Sequence, residues 1–251
     1  MLVATRSWRD GAKLRPSMGT VELVLLHSPL VGPGFWRPVS EVLQARWHCW
    51  LPAVANDDEL ASWRDWPSAA TAELSIGPGA IVVGHSAAGF LLPSVAHLLN
   101  ASGLVFVDAL IPPDSGFVPP ADPEFLQFVR SLPCENGLLP RWSRWWGEGA
   151  IERLIGDAQA YERFERELPR LPVAWFDDRL EIPPWRHLRA GYLATSERFA
   201  PSARDAQTRG WPVRTLAGTH LHPFVAPRDT ASALSDIIQS LTSVTVRDGN
   251  T

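Results

Sequence analysis

The run Gly79-Ala80-Ile81-Val82-Val83-Gly84-His85-Ser86-Ala87-Ala88-Gly89 constrains this chain more than any other stretch. Four apolar residues, three of them β-branched, lead into a serine with a small residue two positions away on either side. Phe90-Leu91-Leu92-Pro93-Ser94-Val95-Ala96-His97-Leu98-Leu99 follows at once and reads as an apolar helix. A buried strand that turns sharply into a helix, with serine at the apex, is the geometry that presents a nucleophile. Ser86 at such an apex takes a strained backbone, and Gly84 and Ala88 leave room for strand and helix to approach. The competing reading is a strand–turn–helix in which Ser86 only caps the helix, because serine is a favoured N-cap.

Composition narrows the partners. At 251 residues the chain can bury a large core. A formal charge of −4 argues against nucleic acid or an anionic membrane as the main partner. No apolar run approaches the ~18 residues needed to span a bilayer. The segment Met1 to Asp10 has no apolar signal core, and Cys49 and Cys134 are far apart without metal-type spacing. Both cysteines read as free thiols of a cytoplasmic protein. Twelve tryptophans suggest large apolar surfaces to fill and an aromatic-lined pocket.

Along the chain, residues 1–20 lack periodicity and read as a mobile tail, with Met18 a second candidate start. Strands are expected at Val21 to His27, around Cys49 to Leu51, before Ser86, at Leu104 to Asp108, at Leu188 to Thr195 and at Val213 to Ala217. Helices are expected at Trp36 to Ala45, weakly at Asp57 to Ser75, at Ala200 to Arg209 and at Asp229 to Leu241. The alternation implies an α/β fold with a mostly parallel sheet of about six strands flanked by helices. Residues 112–185 break the pattern: they are rich in proline and tryptophan and carry their own helices. This stretch reads as a helical lid inserted before the last two strands, between core segments 21–111 and 186–251. The alternation of acid and arginine from Glu162 to Glu167 reads as a solvated helix face.

Four features in the same chain order resemble the alpha/beta hydrolase superfamily over about residues 20 to 242. They are Leu26-His27-Ser28, the Gly84-to-Gly89 elbow, Phe106-Val107-Asp108-Ala109 and Gly218-Thr219-His220. The resemblance implies Ser86 as nucleophile and His220 as base, with His222 the alternative base. It offers two acids. Asp108 stands at a strand end and is favoured, and Glu197, after the strand that follows the lid, is the alternative. No cofactor or metal is implied.

The resemblance also implies an oxyanion hole, with the N–H of Ala87 as first donor. By register the second donor falls on Pro29, which has no N–H, so either Leu30 donates through a shifted loop or one donor is absent. Losing one such donor costs roughly 3 kcal/mol in the transition state. Phe35, Trp36 and His85 complete the expected substrate-side set. The implied function is a serine hydrolase of an ester, thioester or lactone with a bulky apolar or aromatic group. The alternative is a lyase, isomerase, epimerase or cyclase on the same fold, with His220 or His222 as the working base. A non-enzymatic ligand-binding protein ranks below both. The substrate is a small molecule in each case, and the sequence does not address oligomeric state.

Overall fold

Strands made of unbroken apolar runs, rather than alternating ones, belong to a sheet covered on both faces. Leu23 to Leu26, Ile81 to Val83 and Leu104 to Val107 are such runs, and all are buried. In the structure, a computed structural model that describes residues 21–54 and 62–243, these runs form the centre of the sheet. The expected tail 1–20, and the part of the expected Asp57–Ser75 helix before Ser62, lie outside the described residues.

The described strands are β1 (Glu22–Leu26), β2 (His48–Trp50), β3 (Ile81–His85), β4 (Gly103–Val107), β5 (Gly116–Val118), β6 (Leu180–Ile182), β7 (Arg189–Ala194) and β8 (Val213–Thr215). Six of them pair in the order β2-β1-β3-β4-β7-β8. Every pairing in that sheet is parallel. The helices are α1 (Arg37–Leu43), α2 (Trp66–Thr71), α3 (Leu92–Leu99), α4 (Pro123–Ser131), α5 (Ala150–Ile155), α6 (Ala158–Glu167), α7 (Ala200–Thr208), α8 (His222–Val225) and α9 (Pro227–Ser243). Among these, α1 packs on α9 and α2 on α3, while α3, α7 and α9 lie against the strands.

Register decides what the sheet presents at its carboxyl edge. His85 pairs with Val107, and Val107 with Leu193, so Ser86 and Asp108 leave neighbouring strands at the same level. Both residues take positive φ, 59° at Ser86 and 43° at Asp108. This left-handed backbone is costly for residues other than glycine, and it turns each side chain out of the strand direction. Close packing explains the small residues of the elbow. A Cβ at Gly84 would lie 2.7 Å from Leu92 Cδ2, and one at Gly89 would lie 2.6 Å from the Leu110 carbonyl oxygen. A short 3₁₀ turn, Ser86–Phe90, precedes α3, so the α-helix starts at Leu92 rather than at the expected Phe90. Pro93, in the first turn, suits that start because its missing N–H is not needed there.

The stretch between β4 and β7 holds α4, α5 and α6, with Asp122 capping α4 and Asp157 capping α6 through side-chain bonds to Phe125 N and Ala160 N. It also contains a feature that periodicity missed. β5 and β6 pair antiparallel and bring the two ends of the stretch together. Each is only three residues long, too short to show a pattern. Trp142, Trp145, Trp175 and Trp185 are buried in this region, so much of its tryptophan is core. The reading of Glu162 to Glu167 as a solvated face needs correction at two positions. Glu165 reaches Arg141 and Arg144, and the Glu167 carboxylate accepts the Gly34 N–H at 2.5 Å in the loop after β1.

Candidate active site

Three strand ends and one loop converge on Ser86. Its Oγ lies 2.9 Å from His220 Nε2, and His220 Nδ1 lies 3.1 Å from Asp108 Oδ2. An ionised carboxylate only accepts, so Nδ1 carries the proton and donates to Asp108. Nε2 is then left to accept the Ser86 hydroxyl proton.

Asp108 is fully buried and multiply bonded. Oδ1 accepts the N–H groups of Thr195 at 2.6 Å and Ser196 at 3.1 Å, and Oδ2 accepts the Ser196 hydroxyl at 2.5 Å. Burial pushes the carboxyl pKa up, but the bonds and charge of His220, with Ser196 and Thr195, outweigh it and hold the pKa below its ordinary value. Sequence reasoning singled out this loop for Glu197 and missed Thr195 and Ser196. The only available signal was their place directly after β7.

The two alternatives fall away from this line. Glu197 is exposed, and the acid facing His220 is Asp108. His222 opens α8, and its Nε2 is buried with no hydrogen-bond partner. Its ring lies over Gly218, where a Cβ would overlap Nδ1, so a residue without a side chain is required there.

A cavity of about 390 Å³ opens beside Ser86, and Leu30, Ala87 and His220 also line it. The rest of its wall is mainly apolar, with Phe90, Leu110, Phe125, Trp142, Trp146 and Ile151. At its edge Arg198 faces Asp122 at 3.5 Å. Of the residues that line it, Leu30, Ser86, Ala87 and His220 were legible as site residues; the apolar wall was not, because most of it comes from the inserted stretch and from behind the elbow. Phe35, Trp36 and His85, expected on the substrate side, are instead buried behind the cavity. Trp36 donates its indole N–H to the Leu26 carbonyl at 3.0 Å, and Phe35 stacks on His85 with centroids 4.3 Å apart. An indole N–H needs an acceptor when buried, and the end of β1 supplies it.

The second oxyanion position keeps its peculiarity. Pro29 has no N–H to offer, and the Leu30 N–H donates to Ser28 Oγ at 3.2 Å. Among the described residues, no group of three or more His, Cys, Asp or Glu side chains is arranged to hold a metal ion. No described helix is long and apolar enough to cross a membrane.

No curated protein matches the chain in sequence. Solved structures with the same fold include polyneuridine aldehyde esterase, at 15% identity over 87% of this chain and 99% of that one, with a TM-score of 0.62. A pyrethroid hydrolase matches at 18% identity over 88% and 98% of the two chains, with a TM-score of 0.61. A methylesterase from Arabidopsis matches at 16% identity over 88% and 99%, with a TM-score of 0.63. At these identities the likeness is one of fold. A model of the alpha/beta hydrolase family matches residues 23–233, most of the sheet and the elbow with it, and the chain belongs to that family.

Proposed function

We propose that this protein is a serine hydrolase that cleaves an ester, thioester or lactone carrying a bulky apolar or aromatic group. The hydrogen-bonded line Ser86–His220–Asp108, beside a mainly apolar cavity, carries the reading. Ser86 Oγ attacks the substrate carbonyl carbon while His220 Nε2 takes its proton, and Asp108 stabilises the imidazolium. His220 then protonates the departing alcohol or thiol, leaving an acyl group on Ser86. Water, deprotonated by the same Nε2, attacks the acyl carbon and releases the acid. The Ala87 N–H, directly after the nucleophile, is the first donor to the developing oxyanion. Esterases among the fold neighbours are in keeping with this chemistry. With Cys49 and Cys134 both free, the reading places the enzyme in the cytoplasm. Residues 112–185 act as its lid, clasped to the core where Glu167 meets Gly34.

An active-site-directed fluorophosphonate tests the reading. Labelling at Ser86, together with hydrolysis of p-nitrophenyl esters of aryl-substituted acids, is the expected result. An unlabelled Ser86 beside a labelled control hydrolase overturns it.

One observation favours a second reading. The Leu30 N–H is spent on Ser28 Oγ and residue 29 has no N–H, which weakens the stabilisation that hydrolysis demands. A non-hydrolytic enzyme using His220 for proton transfer needs no acyl-enzyme, so its Ser86→Ala variant retains turnover of the native substrate.

A further inference from the structure

His85 sits directly before Ser86, yet it contributes nothing to the cavity wall. Its ring is buried between Phe35, with centroids 4.3 Å apart, and His220, with centroids 4.4 Å apart, and Trp36 meets it edge-on. Its Nε2 lies 2.9 Å from the backbone carbonyl oxygen of His220. A carbonyl oxygen only accepts, so Nε2 carries the proton and donates. Nδ1 is then bare, and it is buried without a partner.

That bond has a companion. Thr195 Oγ1 donates to the carbonyl of Thr219 at 3.0 Å. Two consecutive carbonyls of the base-bearing loop are thus anchored, one to Thr195, just after β7, and the other to His85, the last residue of β3. The loop has no ladder bonds of its own at these positions, since β8 ends at Thr215.

We propose that His85 is a positioning residue, whose Nε2–H fixes the His220 backbone relative to Ser86 and so sets the nucleophile–base distance. The inference rests on the hydrolase reading for its kinetic consequence but not for the bond itself. Burial, then the neighbouring His220, holds the His85 ring neutral well below the usual histidine range, against the opposing pull of Asp108. A neutral ring suits the position, because the adjacent His220 becomes a cation during acyl transfer.

The test combines kinetics with histidine NMR. His85→Phe keeps a stacked ring and removes the donor, and His85→Gln retains a donor without the ring. With p-nitrophenyl esters, His85→Phe is expected to lower kcat about 10- to 100-fold with KM changed less than about twofold, as follows when a reacting pair is displaced by a fraction of an ångström to an ångström. His85→Gln is expected to recover a large part of that loss. A His85→Phe enzyme with unchanged kcat, or a Gln variant as impaired as the Phe variant, overturns the proposal. Should His85→Phe fail to fold, ¹⁵N-histidine spectra of the unmodified protein decide. They are expected to show His85 as the neutral Nε2–H tautomer across pH 5 to 8, and an Nδ1–H tautomer or a protonated ring overturns the proposal. This readout needs no turnover, so it separates failure of the anchor from failure of the hydrolase reading, which the labelling of Ser86 judges.

Discussion

Asp108 Oδ2 faces His220 Nδ1 at 3.1 Å, from a backbone held in the left-handed region at φ 43°. The twist that costs conformational energy is also what turns the carboxylate away from the strand and toward the histidine. Thr195 and Ser196 then fasten it from β7's end.

Asparagine tolerates the left-handed region nearly as well as aspartate. Asp108→Asn is therefore expected to fold, with a melting temperature close to that of the parent, while kcat for an ester falls by about 10⁴-fold. The amide cannot hold His220 in the tautomer that accepts the Ser86 proton. Glu197→Gln, on the exposed side of the loop, is expected to leave kcat within about twofold. Steady-state kinetics on both variants check the assignment of the acid.

Ser86 stores strain of the same kind at φ 59°. Replacement by glycine relieves it, and replacement by alanine does not. Both variants lose the nucleophile and are expected to be inactive, but Ser86→Gly should be more stable than Ser86→Ala by about 1 kcal/mol. Chemical denaturation of the pair measures the difference. Equal midpoints would show that the backbone is not strained at the elbow.

His27 gives the stability curve an acid slope. Burial lowers its pKa from 6.5 to about 4, against weaker opposing bonds from the Ser28 and Val31 backbone. The folded state thus keeps this ring neutral where the unfolded chain is protonated. Between about pH 6.5 and pH 4 the unfolded state binds more protons, so stability rises with pH in that window and falls as acid is added. The full effect is about 3 kcal/mol, and it levels off below the folded-state pKa. Denaturation of the parent and of His27→Gln at several pH values is expected to show the slope in this window reduced in the variant.

Pro29 allows a gain-of-function test. If the oxyanion site lacks its second N–H because proline occupies residue 29, then Pro29→Ala supplies one. The expected result is an increase in kcat for simple esters of about 100-fold, in line with the roughly 3 kcal/mol attached to one such donor. A rate unchanged within twofold, with the fold intact, would mean that another group already serves the oxyanion.

The elbow was legible because its requirements are local. A β-branched run makes a strand, small residues permit a tight turn, and the serine between them has one place to go. The same holds for the parallel α/β architecture, which follows from apolar runs alternating with helical segments. The β5–β6 ribbon was not legible, since three-residue strands carry no periodicity and their pairing joins distant parts of the chain. Nor was Glu167, whose spacing matched a solvated face although its carboxylate is claimed by Gly34 from another element.

The sequence by itself determined the strands of the main sheet, the serine at the elbow's apex, and the chain order of serine, candidate acids and candidate bases. Tertiary structure alone decided that His220 meets Asp108 rather than Glu197, that His222 packs over Gly218, and that Phe35, Trp36 and His85 are buried rather than part of the cavity wall. The reason is register. β4 and β7 are neighbours in the sheet but are separated in the chain by the whole inserted stretch. Which side chains share their common edge depends on how the strands align, and no single segment of sequence carries that alignment.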